Sequence, residues 1–323
     1  MLKKVLITGA AGFLGSHLAK DLIAEGCMVI GIDNMYSGKL MNIKDLPNQQ
    51  FIFKKMDVCS KELLDDPDLK TVQEIYHFAS PASPRSYQMN PFGTINANTV
   101  GTENMLELAK CTGAKIVYTS TSEAYGDPEI HPQPETYRGN VNTWGPRACY
   151  DESKRLGEVL CYLYFMHHNT QVKVARLFNT YSAGLANDDG RVISNFVTQA
   201  LKGEDITVYG DGSQTRSFCY VTDTIKGLKL MMEKEAANGE IINIGNPIEY
   251  KILDLAYFIK DLTESRSKIV FEPLPENDPK IRRPVIEKAR KLLEWEPIVS
   301  LEEGLKLTIN DYKSKLKNCV QRD

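Results

Sequence analysis

The chain has little that would tie it to a metal, a membrane or nucleic acid. Its seven cysteines, at 27, 59, 111, 149, 161, 219 and 319, form no CxxC pair, and its five histidines are scattered. That spacing excludes a zinc-type cluster and points to reduced thiols, so no metal is expected. No window approaches the roughly 20 apolar residues of a membrane-spanning helix. Met1-Leu2-Lys3-Lys4 runs straight into a short apolar stretch that at once becomes Gly-rich, unlike a signal peptide. A cytoplasmic protein is expected. The formal charge of −3 offers no basic field for nucleic acid or an anionic bilayer, so local groups must hold any bound anion.

What is present suits an ordinary globular protein, with 42% hydrophobic and 25% charged residues. At about 150 residues per domain, 323 residues accommodate a dinucleotide fold and a smaller lobe. Short apolar runs at Val5–Thr8, Met28–Ile32, Phe51–Phe53, Ile75–Phe78, Ile116–Thr119 and Val172–Ala175 read as buried parallel strands. Helical patterns at about 13–25, 93–111 and 149–168 alternate with them. Repeated βαβ units require right-handed crossovers, hence an α/β fold with a doubly wound, Rossmann-type parallel sheet. After about residue 178 the rhythm breaks into helices near 190–202, 222–235, 252–263 and 301–316, with a short strand at 241–244. The expected division is a dinucleotide-binding domain over 1–178, with returns near 216–245, and a mixed α/β substrate lobe over 179–323.

Gly9, Gly12 and Gly15 fall between the first strand and the first helix. Gly9 permits the tight turn, Gly12 lets backbone approach a pyrophosphate, and Gly15 allows close helix packing. The helix that follows aims free N–H groups and its positive dipole end at the phosphates. A structural turn could use the same glycines. Asp33, 18 residues after Gly15, ends the second strand, where a carboxylate accepts from both ribose hydroxyls of NAD and repels the phosphate of NADP. Asp57 and Val58 follow the third strand as an adenine contact, or as a plain turn.

Tyr150 and Lys154 stand at i and i+4 on one helix face. A free tyrosine, with a pKa of about 10, is a poor base at neutral pH, but a neighbouring ammonium and a positive nicotinamide ring favour its phenolate. Chance also produces YxxxK on surface helices. Thr121, Ser122 and Glu123 follow the fifth strand, at the carboxyl edge where α/β sheets bind ligands. Thr121 or Ser122 can bond a sugar hydroxyl under oxidation, and Glu123 can act as an acid–base group.

These residues resemble the extended short-chain dehydrogenase/reductase family, the NAD-dependent epimerases and dehydratases, over essentially the whole chain. Within it, His77–Pro84, Thr121–Pro128, His131–Pro134, Gly145–Glu152, Asn187–Phe196 and Gly212–Arg216 are similar to its UDP-glucuronate decarboxylase branch. The 4,6-dehydratases carry an Asp-Glu pair where this chain has Ser122-Glu123, and 4-epimerases usually lack the glutamate. The resemblance implies NAD-dependent oxidation at C4 of a UDP-linked sugar, loss of the C6 carboxylate, and return of the hydrogen to C4. Tyr150 is the implied base, with Ser122 and Glu123 assisting decarboxylation and reprotonation. It also implies that Phe13, Leu14, Asn34, Ala79 and Asn98 join the cofactor site. Ser83, Arg85, Asn179, Arg191, Tyr209 and Arg216 join the substrate site, and Arg282 lies near the sugar carboxylate and the active-site carboxyl. Family members pair through the helices near 93–111 and 149–168, so a homodimer is expected, with Leu106, Leu156, Val159 and Leu160 either at that interface or in the core.

Three departures from the branch pattern bear on substrate. Ser182-Ala183-Gly184 replaces Gly-Pro-Arg, Arg138 and Asn142-Thr143-Trp144 alter the next loop, and Arg85 replaces a small residue or proline. The alternatives are therefore a 4-dehydrogenase or 4-epimerase acting on another nucleotide sugar, less readily a 4,6-dehydratase, or a non-catalytic NAD-binding sensor.

Overall fold

Alternation along the apolar runs decides which residue faces which layer of helices. In the computed structural model, which describes residues 2–182, 190–274, 279 and 281–320 (side chains to 316), Val5 and Ile7 point into one core cluster and Leu6 into the other. Both faces of the Lys4–Thr8 strand are covered, so it has no polar side, whereas the edge strand Phe51–Lys55 leaves Ile52 and Lys55 exposed.

The main-sheet strands before the second lobe are β1 (Lys4–Thr8), β2 (Met28–Asp33), β3 (Phe51–Lys55), β4 (Glu74–His77), β5 (Lys115–Thr121) and β6 (Val172–Leu177). The helices among them are α1 (Phe13–Ala24), α2 (Pro84–Met89), α3 (Pro91–Asn98), α4 (Val100–Thr112) and α5 (Ala148–His168). Beyond lie β7 (Thr180–Tyr181), α6 (Val192–Lys202), β8 (Ile206–Tyr209), β9 (Thr215–Ser217), β10 (Cys219–Tyr220), α7 (Val221–Glu233) and β11 (Ile241–Ile244). The chain ends with β12 (Glu249–Lys251), α8 (Ile252–Thr263), β13 (Ile269–Glu272), β14 (Ile281–Arg282), α9 (Glu287–Leu293) and α10 (Leu301–Val320).

The seven-stranded sheet runs β11-β6-β5-β4-β1-β2-β3, with every neighbouring pair parallel. The chain leaves β1 toward β2 and β3, then returns to β4 on β1's other side. The carboxyl ends of β1 and β4 therefore bound the crevice where such sheets take ligands. Small sheets β12-β9-β14, β10-β7 and β13-β8 build the second lobe over that edge.

The segment expected as one helix over 93–111 is two. Thr99 (φ −112°, ψ −73°) interrupts it, and its hydroxyl bonds the Ile95 carbonyl at 2.7 Å. Among the described residues no helix is long and apolar enough to cross a membrane, and no cluster of three His, Cys, Asp or Glu could hold a metal ion.

Candidate active site

A cleft of about 1250 Å³ runs from the β1–α1 turn, across the ends of β4 and β5, to β9 of the second lobe. At its closed end, Gly9 takes φ +70°, the left-handed region that favours glycine. A Cβ on Gly15 would lie 2.2 Å from the Gly9 carbonyl oxygen, so only hydrogen there lets α1 start this close to the turn. The backbone N–H groups of α1's first turn are thereby left at the cleft floor, the arrangement that receives a pyrophosphate. Gly12, Phe13 and Leu14 line this part of the cleft.

Asp33 closes the next section. Its carboxylate accepts from the Ala11 amide at 3.0 Å and the Met35 amide at 2.8 Å. Burial raises its pKa while those two amides lower it, leaving a net rise. Two of roughly four acceptor sites remain for a ribose diol. Asn34 donates to Asp57 at 2.8 Å, and both line the cleft with Val58 and Ala79. These residues fit NAD. Asn98, expected here, does not line the cleft: its amide donates to Ser153 of α5 at 2.9 Å, and Asn96 and Ala97 face the space instead.

At the centre, α5 brings Tyr150 and Lys154 to the end of β5. A buried ion pair sets that helix: Arg176 of β6 bonds Glu158 in bidentate fashion at 2.8 and 2.7 Å, and Ser120 adds a bond at 2.5 Å. One turn back, the Lys154 ammonium donates to the Thr119 carbonyl at 2.8 Å. Burial pulls its pKa down to about 7, against weaker support from Cys161 and Glu158. Burial pushes the Tyr150 phenol up to about 12; a hydrogen bond with Thr121 and the charge of Arg191 oppose this. The resting tyrosine is therefore a phenol.

Glu123 sits on the short turn after β5, in the cleft wall with Ser122. Arg147 donates to its carboxylate at 2.6 Å, and Arg282 lies 3.4 Å away. Burial works to raise its pKa, but Arg282, Arg147 and Arg216 together hold it at about 2. Glu123 thus keeps its charge at neutral pH and stores no proton, which leaves it the base half of the expected acid–base role. Arg282 lies beside the active-site carboxyl, as expected, but does not reach the space for the sugar. It is 1% exposed and outside the cleft, donating to the Ser122 and Gly126 carbonyls as a brace behind Glu123.

The remaining expected substrate residues, Ser83, Arg85, Asn179, Arg191, Tyr209 and Arg216, all line the outer cleft. Arg216 of β9 pairs in register with Arg282 of β14 and donates to its own strand and to the Pro279 carbonyl. Of the altered loop, Ser182 is buried, whereas 183–189, including the start of the Asn187–Phe196 stretch, lie outside the described residues. Sequence reasoning did not single out Arg147 or Tyr87. Arg147 stood in the Gly145–Glu152 run, three residues before Tyr150. Tyr87 is stacked on Tyr150, with ring centroids 5.0 Å apart.

With this geometry in hand, the comparisons with known proteins are consistent. The sequence model of the NAD dependent epimerase/dehydratase family matches residues 5–245. UDP-glucuronic acid decarboxylase 1 of Danio rerio is 49% identical over 317 residues, covering 98% of this chain and 74% of that protein. A UDP-glucose 4-epimerase of Thermotoga maritima, solved with UDP-glucose, superposes with a TM-score of 0.90 at 29% identity, covering 97% of this chain and 99% of that one. A UDP-glucuronic acid 4-epimerase of Bacillus cereus, solved with NAD and a 4-deoxy-4-fluoro substrate analogue, gives 0.86 at 29% identity, covering 97% and 99%.

Proposed function

The chain belongs to the NAD-dependent epimerase/dehydratase family, and from that premise we propose that it decarboxylates UDP-glucuronate to UDP-xylose. The observation that carries this reading is Glu123, whose carboxylate in the cleft wall is held ionised by Arg282, Arg147 and Arg216, while its backbone amide donates to the Thr121 hydroxyl that bonds Tyr150. Oxidation at C4 alone has no use for it. Carbon–carbon cleavage does, because C5 must regain a proton from water, and an ionised carboxylate accepts a hydrogen bond that positions that water.

NAD, when bound, supplies the oxidising and later the reducing power at C4. The Gly9–Gly15 turn holds its pyrophosphate and Asp33 its ribose. Tyr150 takes the proton of the C4 hydroxyl, which Thr121 holds in line. Burial keeps the free phenol protonated, so a cation brought within about 4–6 Å as the cleft fills is what favours the phenolate. The C4 ketone makes the C6 carboxylate that of a β-keto acid, and carbon dioxide departs leaving its electron pair on C5 as an enolate. C5 then takes a proton from a water molecule admitted to the cleft, and the hydroxide left behind takes one from solvent. The Ser122 hydroxyl and the ionised Glu123, which accepts the water's other hydrogen bond, position that donor. Arg191 and Arg216 grip the diphosphate, for which a guanidinium fork suits two oxygens at once.

Purified protein incubated with UDP-glucuronate and NAD is expected to release carbon dioxide and form a UDP-pentose. Product of unchanged mass would identify a 4-epimerase and overturn the reading, as would absence of turnover.

Two copies are proposed to pair through α5. Leu156, Val159, Tyr162, Leu163 and Met166 form an apolar strip 41–60% exposed, too continuous for a solvated helix face. Leu106 is fully buried in the core and Leu160 packs against it, so neither belongs to that strip. A light-scattering mass near that of one chain would exclude the pairing.

A further inference from the structure

Two carboxyl groups stand beside one guanidinium in this site, and only one is bonded to it. Arg147 gives its Nη2 to Glu123 at 2.6 Å, whereas its Nε lies 4.0 Å from the Oδ2 of Asp151, one turn along α5. Asp151 directly follows Tyr150, is 6% exposed, and its Oδ1 has no hydrogen-bond partner among the described residues. A buried carboxylate with a bare oxygen is expensive, whereas a neutral acid in the same place loses little.

We propose that Asp151 is a positioning residue for the reaction: as a neutral acid it leaves Arg147 to Glu123, and once ionised it draws Arg147 away. This rests on the decarboxylase reading above, in which Glu123 must stay oriented. The groups facing Asp151 agree with the assignment. Its own helix presents Arg147, Cys149, Tyr150 and Glu152, the turn after β5 presents Glu123, α2 presents Tyr87, and β14 presents Arg282. Burial and the Glu123 charge push Asp151 up to about 8, against the pull of Arg147 and Arg282. Neutral pH therefore lies on the side where Arg147 serves Glu123, and mildly alkaline pH on the other.

The first test needs no turnover. In full-length wild-type protein with NAD, the carboxyl 13C resonance of Asp151, assigned through its own amide, is expected to titrate near pH 8. Titration in the ordinary aspartate range of about 4 overturns the proposal whatever the substrate proves to be. The second test reads kcat and KM with UDP-glucuronate against pH. Wild-type kcat is expected to fall about tenfold per unit above the Asp151 transition, with KM little changed. Asp151→Asn, which cannot ionise, should lack that limb, so one unit above it the two proteins differ about tenfold in kcat relative to their neutral values. Identical limbs overturn the positioning role even where the resonance titrates as expected. If the asparagine variant does not fold, the resonance test on wild type decides. If wild type leaves UDP-glucuronate untouched while Asp151 titrates near pH 8, the functional reading has failed and the ionisation claim has not.

Discussion

Tyr87 lies flat against Tyr150, with ring planes 9° from parallel, and its buried hydroxyl has no hydrogen-bond partner among the described residues. The stack covers one face of the reactive phenol and contributes to the burial that keeps it protonated. A buried hydroxyl without a partner costs roughly 1–3 kcal/mol. Tyr87→Phe is therefore expected to stabilise the ligand-free protein by about 1 kcal/mol and raise its melting temperature by about 2 °C. A lower melting temperature would show that the hydroxyl is satisfied in solution. Tyr87→Leu removes the stack, worth about 0.5–1.5 kcal/mol, and should lower kcat by up to about tenfold.

Lys154 makes a prediction about pH. The folded protein holds its amine at a pKa of about 7, whereas the unfolded chain keeps an ordinary lysine near 10.4. Between those values the unfolded state binds more protons, so this group's contribution to stability rises with pH across the window, and its full cost is present below it. Lys154→Met should melt above wild type at pH 6 and lose that advantage as pH climbs toward 10. Because Lys154 lines the cleft beside Tyr150, the same variant should lose NAD affinity and about a hundredfold or more in rate. A melting difference independent of pH would mean that the amine is solvated.

Replacing Glu123 separates its charge from its shape. Glu123→Gln leaves Arg282, almost fully buried, facing an amide instead of an anion. Breaking a buried pair from one side costs about 3–5 kcal/mol, so a clear fall in melting temperature is expected. The rate should fall by roughly a hundredfold or more while KM changes little. Unchanged kcat in a folded variant would refute the role given to this carboxylate.

Gly15→Ala puts a methyl where the Gly9 carbonyl already stands, 2.2 Å away, with the Ala10 Cα at 2.8 Å. Neither neighbour is a flexible side chain, so α1 must retreat, at a cost of about 1–3 kcal/mol. The floor beneath the pyrophosphate moves with it. An NADH fluorescence titration is expected to show affinity weakened at least about tenfold; equal affinity would place the dinucleotide elsewhere.

The sheet was legible because a strand buried on both faces must be apolar throughout, and each of the six runs read as strands became one. The break at Thr99 was not legible, since the pattern of Gly93–Cys111 continues through it and only a local hydroxyl bond marks the interruption. Helix α9 was missed because its short, charged Glu287–Leu293 segment shows too few apolar positions to set a period. Tyr150, Lys154 and Glu123 announced themselves by spacing and by the strand ends they follow. Arg147 did not, since its meaning comes from Glu123, 24 positions away in sequence and 2.6 Å in space. Arg282 shows the converse case: the sequence placed it near the active-site carboxylate, but burial turned it from a contact for the sugar into a brace.

Strand β11 has a consequence for how the chain is made. It pairs with β6 from Ile241↔Val174 to Ile244↔Leu177, after the polypeptide has traced much of the second lobe. Until that segment leaves the ribosome, β6 stands as an open edge with unmatched amides, which invites pairing with another nascent chain. The seven-stranded sheet thus cannot close on this side until Ile244 has been made, however early β1 to β6 are in place.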